Sequence, residues 1–564
     1  MAKLPDFGRY ASIVDLVDDW AGLKSGSVIY IVESEQGSVS WTGADLVRRS
    51  RLAAFRLHAA GIRAGDRVLT LAHNSAELGA AYVGLWRLRA APVPLDHRFT
   101  SSVMARIAAN ADSAVVVTDG PADVAALDGV TALTLAELVG DRTDDLPADW
   151  SQQLDGWQRP VGTDLYAILY TSGTTGQPRG VVQIHGTYIS AWAAILANRA
   201  FRAVMTFLMP KDGRVLSIMP MSHTMGFTEF LTSLIMGSQY VFPRSRSPRG
   251  LLDVMGRHGP TYIGVAPRFL ELLWTQLRRE IAGRGGLEDF DRRRERASRL
   301  PYWIRRRMFK AEREMLGGRL RSIGAGAAAL PPDVQEAWES IGIPVIQGYG
   351  ATEAGGIATT NAFHHPLGKV GKPSRAQKVE LAPDGEVLVS GPMVAAGYWR
   401  DPEATQMAFD AQGRYHTGDI GRIDEKGELI LTGRKKNVIV LSNGLKVYPE
   451  DIEASLHAAG LGDTVVLETM PGRIEAVVLG PERETAAAVE PMSVLEQEVM
   501  TARIDAAIRQ ANASLMADER VDGWRLWPEA DFPRTHTMKI QRDPVREWVV
   551  SARDRAPAVA LDSA

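Results

Sequence analysis

A loop rich in glycine and hydroxyl residues follows a short apolar run of the chain. The run is LYAILY, and the loop, TSGTTGQPRG, extends from Thr171 to Gly180. Glycines allow backbone amides to approach an anion closely, and hydroxyls donate hydrogen bonds to phosphate oxygens. A Walker A loop would require a Lys-Ser or Lys-Thr pair after Gly176, and none stands there. The composition therefore predicts a phosphate-binding loop of another kind, and a plain surface turn is the weaker alternative.

Six further motifs contain glycine, hydroxyl, acidic, basic or aromatic residues in short runs. They are Met219–His223 (MPMSH), Gly324–Leu330 (GAGAAAL), Gln347–Glu353 (QGYGATE), Tyr415–Asp419 (YHTGD), Leu431–Lys436 (LTGRKK) and Pro533–Arg542 (PRTHTMKIQR). Taken singly, most of them are equally typical of turns or of a solvated basic surface. Glu353 favours function more strongly, because a buried carboxylate without a metal or another partner costs free energy.

In this order, the loop and the six motifs resemble the adenylate-forming superfamily of acyl-CoA synthetases, luciferases and nonribosomal-peptide adenylation domains. The family's signature loop, Tyr-Thr-Ser-Gly-Thr-Thr-Gly-x-Pro-Lys-Gly, matches Tyr170–Gly180 except that Arg179 replaces the usual lysine. The sequence looks most similar to the long-chain fatty acyl-CoA synthetases. Because the resemblance extends in order through most of the chain, it is far more specific than any single motif.

The resemblance implies an ATP site and roles for its residues. His223 would gate the passage between the ATP and carboxylate pockets, and Tyr349 would stack on adenine. Thr352 would contact the α-phosphate, whereas Glu353 and Thr175 would hold Mg²⁺. The implied ATP and AMP contacts are Thr171, Ser172, Gly173, Thr174, Thr175, Gly176, Arg179, Gly326, Ala327, Ala328, Gln347, Gly348, Tyr349, Gly350, Thr352, Asp419 and Arg434.

The resemblance also implies ribose, hinge and catalytic residues nearer the C-terminus. Asp419 would accept hydrogen bonds from the ribose hydroxyls, and Arg434 would contact ribose and phosphate. Lys539 would be the catalytic lysine, in a loop where Met538 replaces the family's glycine. The implied catalytic residues are Lys539, Glu353, Thr352 and His223, and the implied CoA-channel and hinge residues are Lys436, Ser442, Asn443 and Gly444.

The implied reaction joins a carboxylate to the α-phosphate of ATP, so positive charge must face the developing negative charge. Loop amides, Mg²⁺ and the Lys539 ammonium would supply it, without a protein nucleophile. Lys539 and the phosphate loop fall in different predicted domains, so adenylation requires these domains to close. In the family, the small domain then rotates for attack by a thiol, with CoA as co-substrate beside ATP and Mg²⁺.

The residues after His223 bear on the acid that is activated. Thr224–Leu231 is mostly apolar and lacks the aspartate with which amino-acid-activating relatives pair an amine. We therefore expect an apolar acyl tail, as in a medium- or long-chain fatty acid. The predicted acyl pocket contains Met225, Gly226, Phe227 and Leu231, and an ordinary core position is an equally good interpretation of its apolar side chains.

The acceptor and the function class have alternatives. Only a short tail follows Arg542, so free CoA is the simplest acceptor. A stand-alone acyl-AMP ligase that loads a carrier protein, a CoA ligase for an aryl or other non-fatty acid, and a luciferase-like oxygenase remain open. A degenerate nucleotide-binding regulator is disfavoured, because the charged residues of every motif are present.

Alternating strand-like and helix-like segments must position these motifs. Strands are predicted at Leu165–Tyr170, Ser113–Thr118, Gly213–Met219, Gln239–Phe242, Tyr262–Val265 and Ile343–Gln347, each beside a helical pattern. This favours an α/β fold: a large N-terminal domain of layered, largely parallel α/β subdomains plus a β-rich subdomain, then a small mobile α+β C-terminal domain. The predicted boundaries are 1–435, with the β-rich part at 370–435, then 436–550, and a flexible tail at 551–564.

Composition limits the remaining classes. The chain has 564 residues, 45% hydrophobic and 23% charged, as in a globular protein of two to four structural units. A net charge of −3 gives no global attraction to nucleic acid, and the absence of cysteine excludes disulfides and thiolate chemistry. The N-terminus lacks the apolar core of a signal peptide, so we expect a cytoplasmic protein. The oligomeric state cannot be predicted.

One basic segment predicts a surface with two interpretations. Residues 292–310 contain nine basic residues and one acid, interleaved with aromatic and aliphatic side chains. A solvated helix face is the default interpretation of such a run. Peripheral contact of this segment, Arg292 to Lys310, with a membrane surface is the alternative.

Overall fold

The computed structural model describes residues 7–23, 25–120, 124, 127, 129–144, 146–172, 178–197, 199–210, 213–297, 299–361, 367–441, 445–470, 472–480, 494–535, 539–551 and 559–560. The chain divides into two compact units. The first comprises Met1–Glu380 and Leu388–Thr417, and the second comprises Leu381–Val387 and Gly418–Ala564. The division near Gly418 shows which residues pack together and does not show where one domain rotates against another. The hinge at Lys436 and the boundary at 435 therefore stay predictions.

The secondary structure alternates between helices and strands over most of the chain. The helices are α1 (Ile13–Leu23), α2 (Gly43–Ala59), α3 (Ala76–Arg87), α4 (Ser101–Ala111), α5 (Leu135–Val139), α6 (Trp150–Asp155), α7 (His185–Ala197), α8 (Arg199–Leu208), α9 (Thr224–Met236), α10 (Pro248–His258), α11 (Pro267–Gly283), α12 (Leu287–Ala297), α13 (Tyr302–Met308), α14 (Lys310–Met315), α15 (Pro332–Ser340), α16 (Pro402–Ala408), α17 (Pro449–Ala458), α18 (Val494–Asn512) and α19 (Arg542–Ser551). The strands are β1 (Val28–Ser34), β2 (Gly37–Thr42), β3 (Arg67–Leu71), β4 (Ala91–Pro94), β5 (Val115–Thr118), β6 (Thr131–Thr134), β7 (Leu165–Ser172), β8 (Pro178–Ile184), β9 (Arg214–Leu216), β10 (Gln239–Phe242), β11 (Tyr262–Val265), β12 (Ser322–Ala325), β13 (Val345–Tyr349), β14 (Thr359–Thr360), β15 (Lys372–Pro373), β16 (Lys378–Leu381), β17 (Glu386–Ser390), β18 (Tyr415–Ile423), β19 (Leu429–Arg434), β20 (Ile439–Val440), β21 (Lys446–Val447), β22 (Thr464–Met470), β23 (Arg473–Val478), β24 (Gly523–Leu526) and β25 (Val559–Ala560).

The largest sheet has nine strands in the order β15-β14-β13-β12-β11-β9-β10-β1-β2. The strands from β13 to β1 pair in parallel, and the strands at both edges pair antiparallel. Central strands such as β11 are short and fully apolar, as expected where helices cover both faces. The predicted strands Gln239–Phe242 and Tyr262–Val265 coincide with β10 and β11. The prediction of an α/β fold with largely parallel sheets is confirmed.

A second sheet of four parallel strands has the order β4-β3-β5-β6, so β3 lies between β4 and β5. Helix α3 connects β3 to β4, and its first turn is capped by Ser75, whose hydroxyl accepts from the Leu78 amide. Trp86 on α3 is fully buried, and its indole donates to the Tyr166 carbonyl over 2.7 Å. This contact joins the helix to β7, the strand that leads into the glycine-rich loop.

The glycine-rich loop connects the two strands of a hairpin. β7 and β8 pair antiparallel, with Tyr170 opposite Gly180 and Thr171 opposite Arg179. A Cβ atom on Gly180 would lie 2.7 Å from Ile168 Cγ2 and 2.9 Å from Tyr170 Cζ, so only glycine fits at this position. The hairpin therefore holds Arg179 at a fixed register beside the start of the loop.

Five strands between Lys372 and Arg434 form the β-rich part of the chain, as the turn-rich sequence there predicts. β16, β17, β18 and β19 make one sheet in that order. Further along, α17 begins with Pro449 in its first turn, β22 and β23 form a hairpin, and β24 runs parallel to β23. The expected flexible tail differs at Val559–Ala560, which forms β25 and pairs antiparallel with β24.

The basic segment lies on α12, α13 and the start of α14. Several of its arginines have partners within the first unit: Arg293 pairs with Asp289 and Glu312, and Arg294 lies 4.9 Å from the Trp274 ring. Trp303 on α13 is 70% exposed. Among the described residues, no helix combines the length and the apolar character that crossing a membrane requires.

Candidate active site

Glu353 is the buried carboxylate of the site. It lies in a single 3-10 turn, Thr352–Ala354, that follows β13, and it is 7% exposed. Tyr398 donates its hydroxyl hydrogen to Glu353 Oε1 over 2.8 Å. The backbone carbonyl of Glu353 accepts from the Ala395 amide over 2.8 Å. The side chain and the backbone of Glu353 are therefore both held by one short segment, residues 395–398.

Tyr398 is positioned by the hairpin that carries the glycine-rich loop. The Val182 amide donates to the Gly397 carbonyl, and the Trp399 amide donates to the Gly180 carbonyl, so residues 397–399 pair with β8. The Arg179 guanidinium lies 5.5 Å from the centre of the Tyr398 ring. A planar guanidinium stacks on an aromatic ring more favourably than an ammonium does, which gives the arginine a physical reason to replace lysine here.

The N-terminus of α9 lies against Thr352. The hydroxyls of Thr352 and Thr224, the first residue of the helix, are 2.7 Å apart. His223 caps the helix, because its Nδ1 accepts from the Met225 amide over 3.2 Å. A neutral His223 therefore carries its proton on Nε2. Gln183 on β8 donates to the Thr352 carbonyl over 3.0 Å. The predicted gate and phosphate residues thus belong to one connected cluster.

The predicted adenine-flanking residues follow two neighbouring parallel strands, since β12 pairs with β13. A Cβ atom on Gly326 would lie 3.4 Å from Met225 Sδ and 3.5 Å from the Gly348 carbonyl oxygen. Ala327 has a φ of +69°, a left-handed conformation that alanine rarely adopts. The structure therefore brings the small residues of the Gly326–Ala328 stretch beside Gly348 and Met225.

The backbone around Gln347 and Gly350 is tightly constrained. The Gln347 amide donates to Asn361 Oδ1 over 2.8 Å, and the Asn361 amide donates back to the Gln347 carbonyl over 3.0 Å. A Cβ atom on Gly350 would lie 2.3 Å from the Gly356 carbonyl oxygen. Tyr349 is half-buried at the end of β13. These contacts fix the turn that presents Thr352 and Glu353.

Helix α9 presents different residues to different surroundings. Phe227 is 1% exposed and packs against the rings of Tyr82, Trp86 and Tyr166. Leu231 belongs to the same core and is 2% exposed. These residues of the predicted acyl pocket therefore contribute to the hydrophobic core, and their contact with an acyl chain stays a prediction.

Gly226 and Met225 belong to the same predicted acyl pocket. A Cβ atom on Gly226 would lie 2.2 Å from the Pro220 carbonyl oxygen, so the glycine allows the helix to approach the preceding segment. Half-buried Met225 borders Gly326. Of the four predicted pocket residues, Met225 is the one that the structure places beside the predicted adenine-flanking loop.

Glu229 lies one helical turn after Met225 and is buried in the same region. Its Oε2 accepts from the Tyr240 hydroxyl over 3.1 Å, and its Oε1 faces the backbone of Gly264, where a Cβ atom would be only 2.4 Å away. Burial raises the pKa of Glu229 to about 8, and the hydrogen bond from Tyr240 lowers it only in part. At neutral pH this carboxyl is mostly protonated.

In the second unit, the two predicted ribose residues are direct neighbours. β18 and β19 pair antiparallel with Asp419 opposite Arg434, and Arg434 Nε lies 2.6 Å from Asp419 Oδ1. Asp419 is 8% exposed, whereas the Arg434 side chain is 41% exposed. The adjacent Gly418 amide donates to Glu386 Oε1 over 3.0 Å. The ladder register therefore brings together two residues that are distant in the sequence.

The predicted hinge residue also lies in the second unit. Lys436 belongs to the one-turn 3-10 helix Lys435–Asn437, directly after β19. Its Nζ is 4.0 Å from Asp543 Oδ2, and the neighbouring Asn437 donates to Glu450 Oε1 over 2.7 Å. The predicted CoA-channel residues Ser442, Asn443 and Gly444 lie outside the described residues, as do Gly173, Thr174, Thr175 and Gly176 of the phosphate loop and the side chain of Ser172.

The predicted catalytic lysine is exposed on a closed loop of the second unit. The Thr535 amide donates to the Lys539 carbonyl, the Lys539 amide donates to Thr535 Oγ1, and the Gln541 amide donates to the Pro533 carbonyl. Arg534 anchors the loop through Asp463 at 2.5 Å and Asp531 at 2.6 Å. The loop therefore presents the Lys539 side chain at the surface of this unit. Met538 lies outside the described residues.

Three residues of this site do not belong to any motif that the sequence singled out: Tyr398, Gln183 and Glu229. Tyr398 reaches Glu353 because its segment pairs with β8, and Gln183 reaches Thr352 because it lies on β8. A local sequence pattern shows neither relation. Glu229 did carry a signal, because an acid within the apolar helix TMGFTEFLTSLIM is unusual.

Comparison with known proteins identifies relatives over most of the chain. The profile of the family described as AMP-binding enzyme matches residues 18–399. The long-chain-fatty-acid–CoA ligase FadD15 of Mycobacterium bovis is 28% identical over 559 residues, which cover 90% of this chain and 91% of the relative. The 2-succinylbenzoate–CoA ligase of Geobacillus kaustophilus is 27% identical over 528 residues, covering 90% and 93%.

A solved structure has the same fold. The o-succinylbenzoate CoA synthetase MenE of Bacillus subtilis, in complex with the acyl-adenylate intermediate OSB-AMP, aligns with a TM-score of 0.71 at 21% identity. The alignment covers 95% of this chain and 98% of that chain. At this identity the similarity establishes the fold, a large N-terminal domain followed by a C-terminal domain.

The buried carboxyl of Glu229 predicts a pH-dependent effect of Glu229→Gln. Its folded-state pKa of about 8 lies above the unfolded value, so wild-type stability falls as pH rises from the unfolded pKa through the folded one. A glutamine stays neutral, and the variant should gain about 3–5 kcal/mol relative to wild type between roughly pH 4 and 9. Urea unfolding across this range measures the difference. Glu288→Gln, at an exposed position on α12, should follow wild type, and a pH-independent difference for Glu229→Gln would contradict the prediction.

Proposed function

The chain belongs to the AMP-binding enzyme family and is a ligase of the acyl-CoA synthetase class, and on this premise we propose that its acid is a medium- or long-chain fatty acid and its acceptor is CoA. The products are then acyl-CoA, AMP and pyrophosphate. One observation carries the adenylation step more than any other: a buried Glu353 is held by Tyr398 beside the hydroxyl pair of Thr352 and Thr224. The name of the FadD15 relative supports the fatty acid.

In the first half-reaction, a carboxylate oxygen of the acid bonds to the α-phosphorus of ATP, and the bond to pyrophosphate breaks. Thr352 is suited to contact the α-phosphate, because the N-terminus of α9 beside it favours negative charge. Carboxylate and hydroxyl oxygens are donors that suit Mg²⁺, so Glu353 fits the metal role, and the ion would supply positive charge against the phosphates. Lys539 contributes an ammonium from the second unit, and Asp419 with Arg434 binds the ribose.

In the second half-reaction, the CoA thiol attacks the acyl carbonyl carbon, and AMP leaves as the carbon–oxygen bond to phosphate breaks. We assign the change between the half-reactions to rotation about Lys436, which stands at an element end as hinge residues do. We propose that Ser442–Gly444 contributes contacts to the pantetheine arm of CoA.

The acid is inferred from the face of α9 that carries Met225. A flexible thioether adapts to chains of different shape, and it stands here beside Gly326. The neighbouring Glu229 is mostly protonated at neutral pH, so it does not oppose an apolar tail as a charge would. The 2-succinylbenzoate–CoA ligase relative favours one specific alternative, an aromatic acid, within the same reaction.

The substrate class is tested by an ATP-dependent assay of the full chain with acetate, octanoate, palmitate, benzoate, 2-succinylbenzoate and an amino acid. Pyrophosphate, AMP and thioester are followed together, with and without CoA. We expect thioester with octanoate or palmitate at a kcat/KM at least about tenfold above the aromatic acids, or about 1.4 kcal/mol in the transition state. Preference for an aromatic acid would overturn the fatty-acid assignment, and pyrophosphate without thioester would overturn CoA as the acceptor.

Tyr398→Phe should weaken adenylation, because it leaves the buried Glu353 without its hydroxyl donor. A hydrogen bond to a charged group contributes about 1.5–3 kcal/mol, so kcat/KM for acid-dependent pyrophosphate release should fall roughly 10- to 100-fold. Conversion of supplied acyl-AMP and CoA to thioester should change little. Lys539→Ala provides the reference for full loss of adenylation.

Tyr30→Phe is the matched control for Tyr398→Phe. Tyr30 is fully buried in the first unit, and its hydroxyl has no hydrogen-bond partner within the part of the chain that the structure describes. Its removal should leave both half-reactions unchanged. Equal activity of wild type and Tyr398→Phe would show that Tyr398 does not position Glu353 for catalysis.

We propose in addition that α13 contacts membrane surfaces where a lipophilic acid is dissolved. Trp303 is 70% exposed, and Arg299, Arg307 and Lys310, which are within eight residues of it in the sequence, are also exposed. Tryptophan and arginine together suit the interface of an anionic bilayer. Most other arginines of the segment are half-buried against the protein.

Cosedimentation with vesicles tests this contact. We expect salt-sensitive binding to vesicles with anionic lipid, little binding to neutral vesicles, and at least about a fivefold weaker affinity for Trp303→Ala with Arg307→Gln, or roughly 1 kcal/mol. Met407→Ala, which removes a 71% exposed side chain elsewhere in the first unit, is the control. Binding that is absent, or equal in all three proteins, would leave the segment as ordinary surface.

A further inference from the structure

Two histidines and an aspartate meet at one edge of the four-stranded parallel sheet. His73 follows β3, His97 follows β4 and Asp119 follows β5, and β3 lies between the other two strands. The carboxyl ends of the three strands therefore bring the side chains together, although up to about 45 residues separate them in the chain. One ligand atom from each residue can be chosen so that all three lie within 4.8 Å of one another.

The contacts within this cluster are specific. His73 Nδ1 lies 2.8 Å from Asp119 Oδ2, and the His73 amide donates to the same oxygen over 2.8 Å. The His73 and His97 rings stack with centroids 4.2 Å apart and planes 19° from parallel. Stacked imidazoles repel one another when both are protonated, whereas a shared cation with the aspartate balances the charge of the group.

We propose that His73, His97 and Asp119 bind one divalent transition-metal ion of the zinc type. Imidazole nitrogen with one carboxylate oxygen is a donor set that suits Zn²⁺, Co²⁺ or Ni²⁺ rather than Mg²⁺ or Ca²⁺. Ligand atoms around tetrahedral zinc lie about 3.3 Å apart. The three ligand atoms here lie within 4.8 Å of one another, so side-chain rotation must bring them closer together when the ion binds. The His73 side chain is 66% exposed, so solvent covers most of its surface.

Residues next to this cluster contact the segment that leads to His223. Asn74, the neighbour of His73, donates to Ser217 Oγ over 2.8 Å and to the Met219 carbonyl over 2.7 Å. Asp96, the neighbour of His97, accepts from Ser222 Oγ over 3.3 Å. A bound ion would therefore stiffen the two segments that hold residues 217–222, directly before His223. The metal site does not depend on the proposed fatty-acid substrate.

Metal binding to the full, tag-free chain tests the proposal without ATP or acid. The chelator-treated protein is titrated with Co²⁺, followed by visible absorption, and with Zn²⁺, followed by calorimetry. We expect one ion per chain with a Kd at or below about 10 μM. His97→Ala and His73→Ala should each weaken binding by at least about tenfold, as loss of a ligand does, and should abolish the rise in Tm that Zn²⁺ gives the wild type.

Two variants separate this site from other metal-binding groups. Glu353→Gln should bind Zn²⁺ as wild type does, because the proposed Mg²⁺ site is elsewhere in the fold. His457→Ala removes a histidine in the last turn of α17 and should also bind normally. Circular dichroism of the histidine variants in chelator confirms that they fold. Wild-type binding absent at about 1 mM free Zn²⁺, or unchanged in His97→Ala, would overturn the proposal.

Discussion

The buried carboxylate of Glu353 is the constraint on which the first unit depends. An ionised carboxylate loses the stabilisation of water when it is buried, so its remaining donors must come from the protein or from a ligand. Tyr398 supplies one donor, and Tyr398 is itself fixed by backbone pairing with β8. The same strand carries Arg179 and Gln183. A single hairpin thus orients the start of the phosphate loop, the carboxylate and the Thr352 turn.

Helix α9 shows how one element serves both the core and the site. Phe227, Phe230 and Leu231 pack into the hydrophobic core, whereas Met225 and Glu229, one turn apart, face Gly264 and Gly326. Such a helix cannot be amphipathic in the usual sense, because its second face is covered by protein and not by water. This explains why its sequence is apolar almost throughout and why the one acid within it is kept mostly neutral.

Local patterns predicted the elements whose signals are local. The runs at Gln239–Phe242 and Tyr262–Val265 are strands at those bounds. The motifs of both units were recognisable only from their order along the chain, because most of them, taken singly, are equally typical of turns or of a solvated basic surface. The sequence around Val559–Ala560 gave no strand signal. The strand β25 is defined only by its pairing with β24, which a local pattern does not show.

Contacts that depend on strand register or strand order could not be predicted from the sequence. Tyr398 reaches Glu353 because residues 397–399 pair with β8, and the histidines at 73 and 97 meet because β3 and β4 are neighbours in the sheet. Asp419 and Arg434 were predicted as separate ribose contacts, but their pairing follows from the β18–β19 register. In each case, hydrogen bonds between strands bring distant residues together. A short window of the sequence does not show which strands are neighbours.

The two units also differ in how firmly their charged groups are held. Glu353 is bound from both its side chain and its backbone inside the first unit, so moving it would break two buried hydrogen bonds. The Arg434 side chain, by contrast, is 41% exposed, although its partner Asp419 is buried, so solvent reaches this ion pair from the arginine side. The pair of Asp419 and Arg434 is therefore open to solvent on the arginine side, whereas Glu353 is enclosed. The proposed function requires such a difference, because ribose would bind beside Asp419 while Glu353 keeps its position.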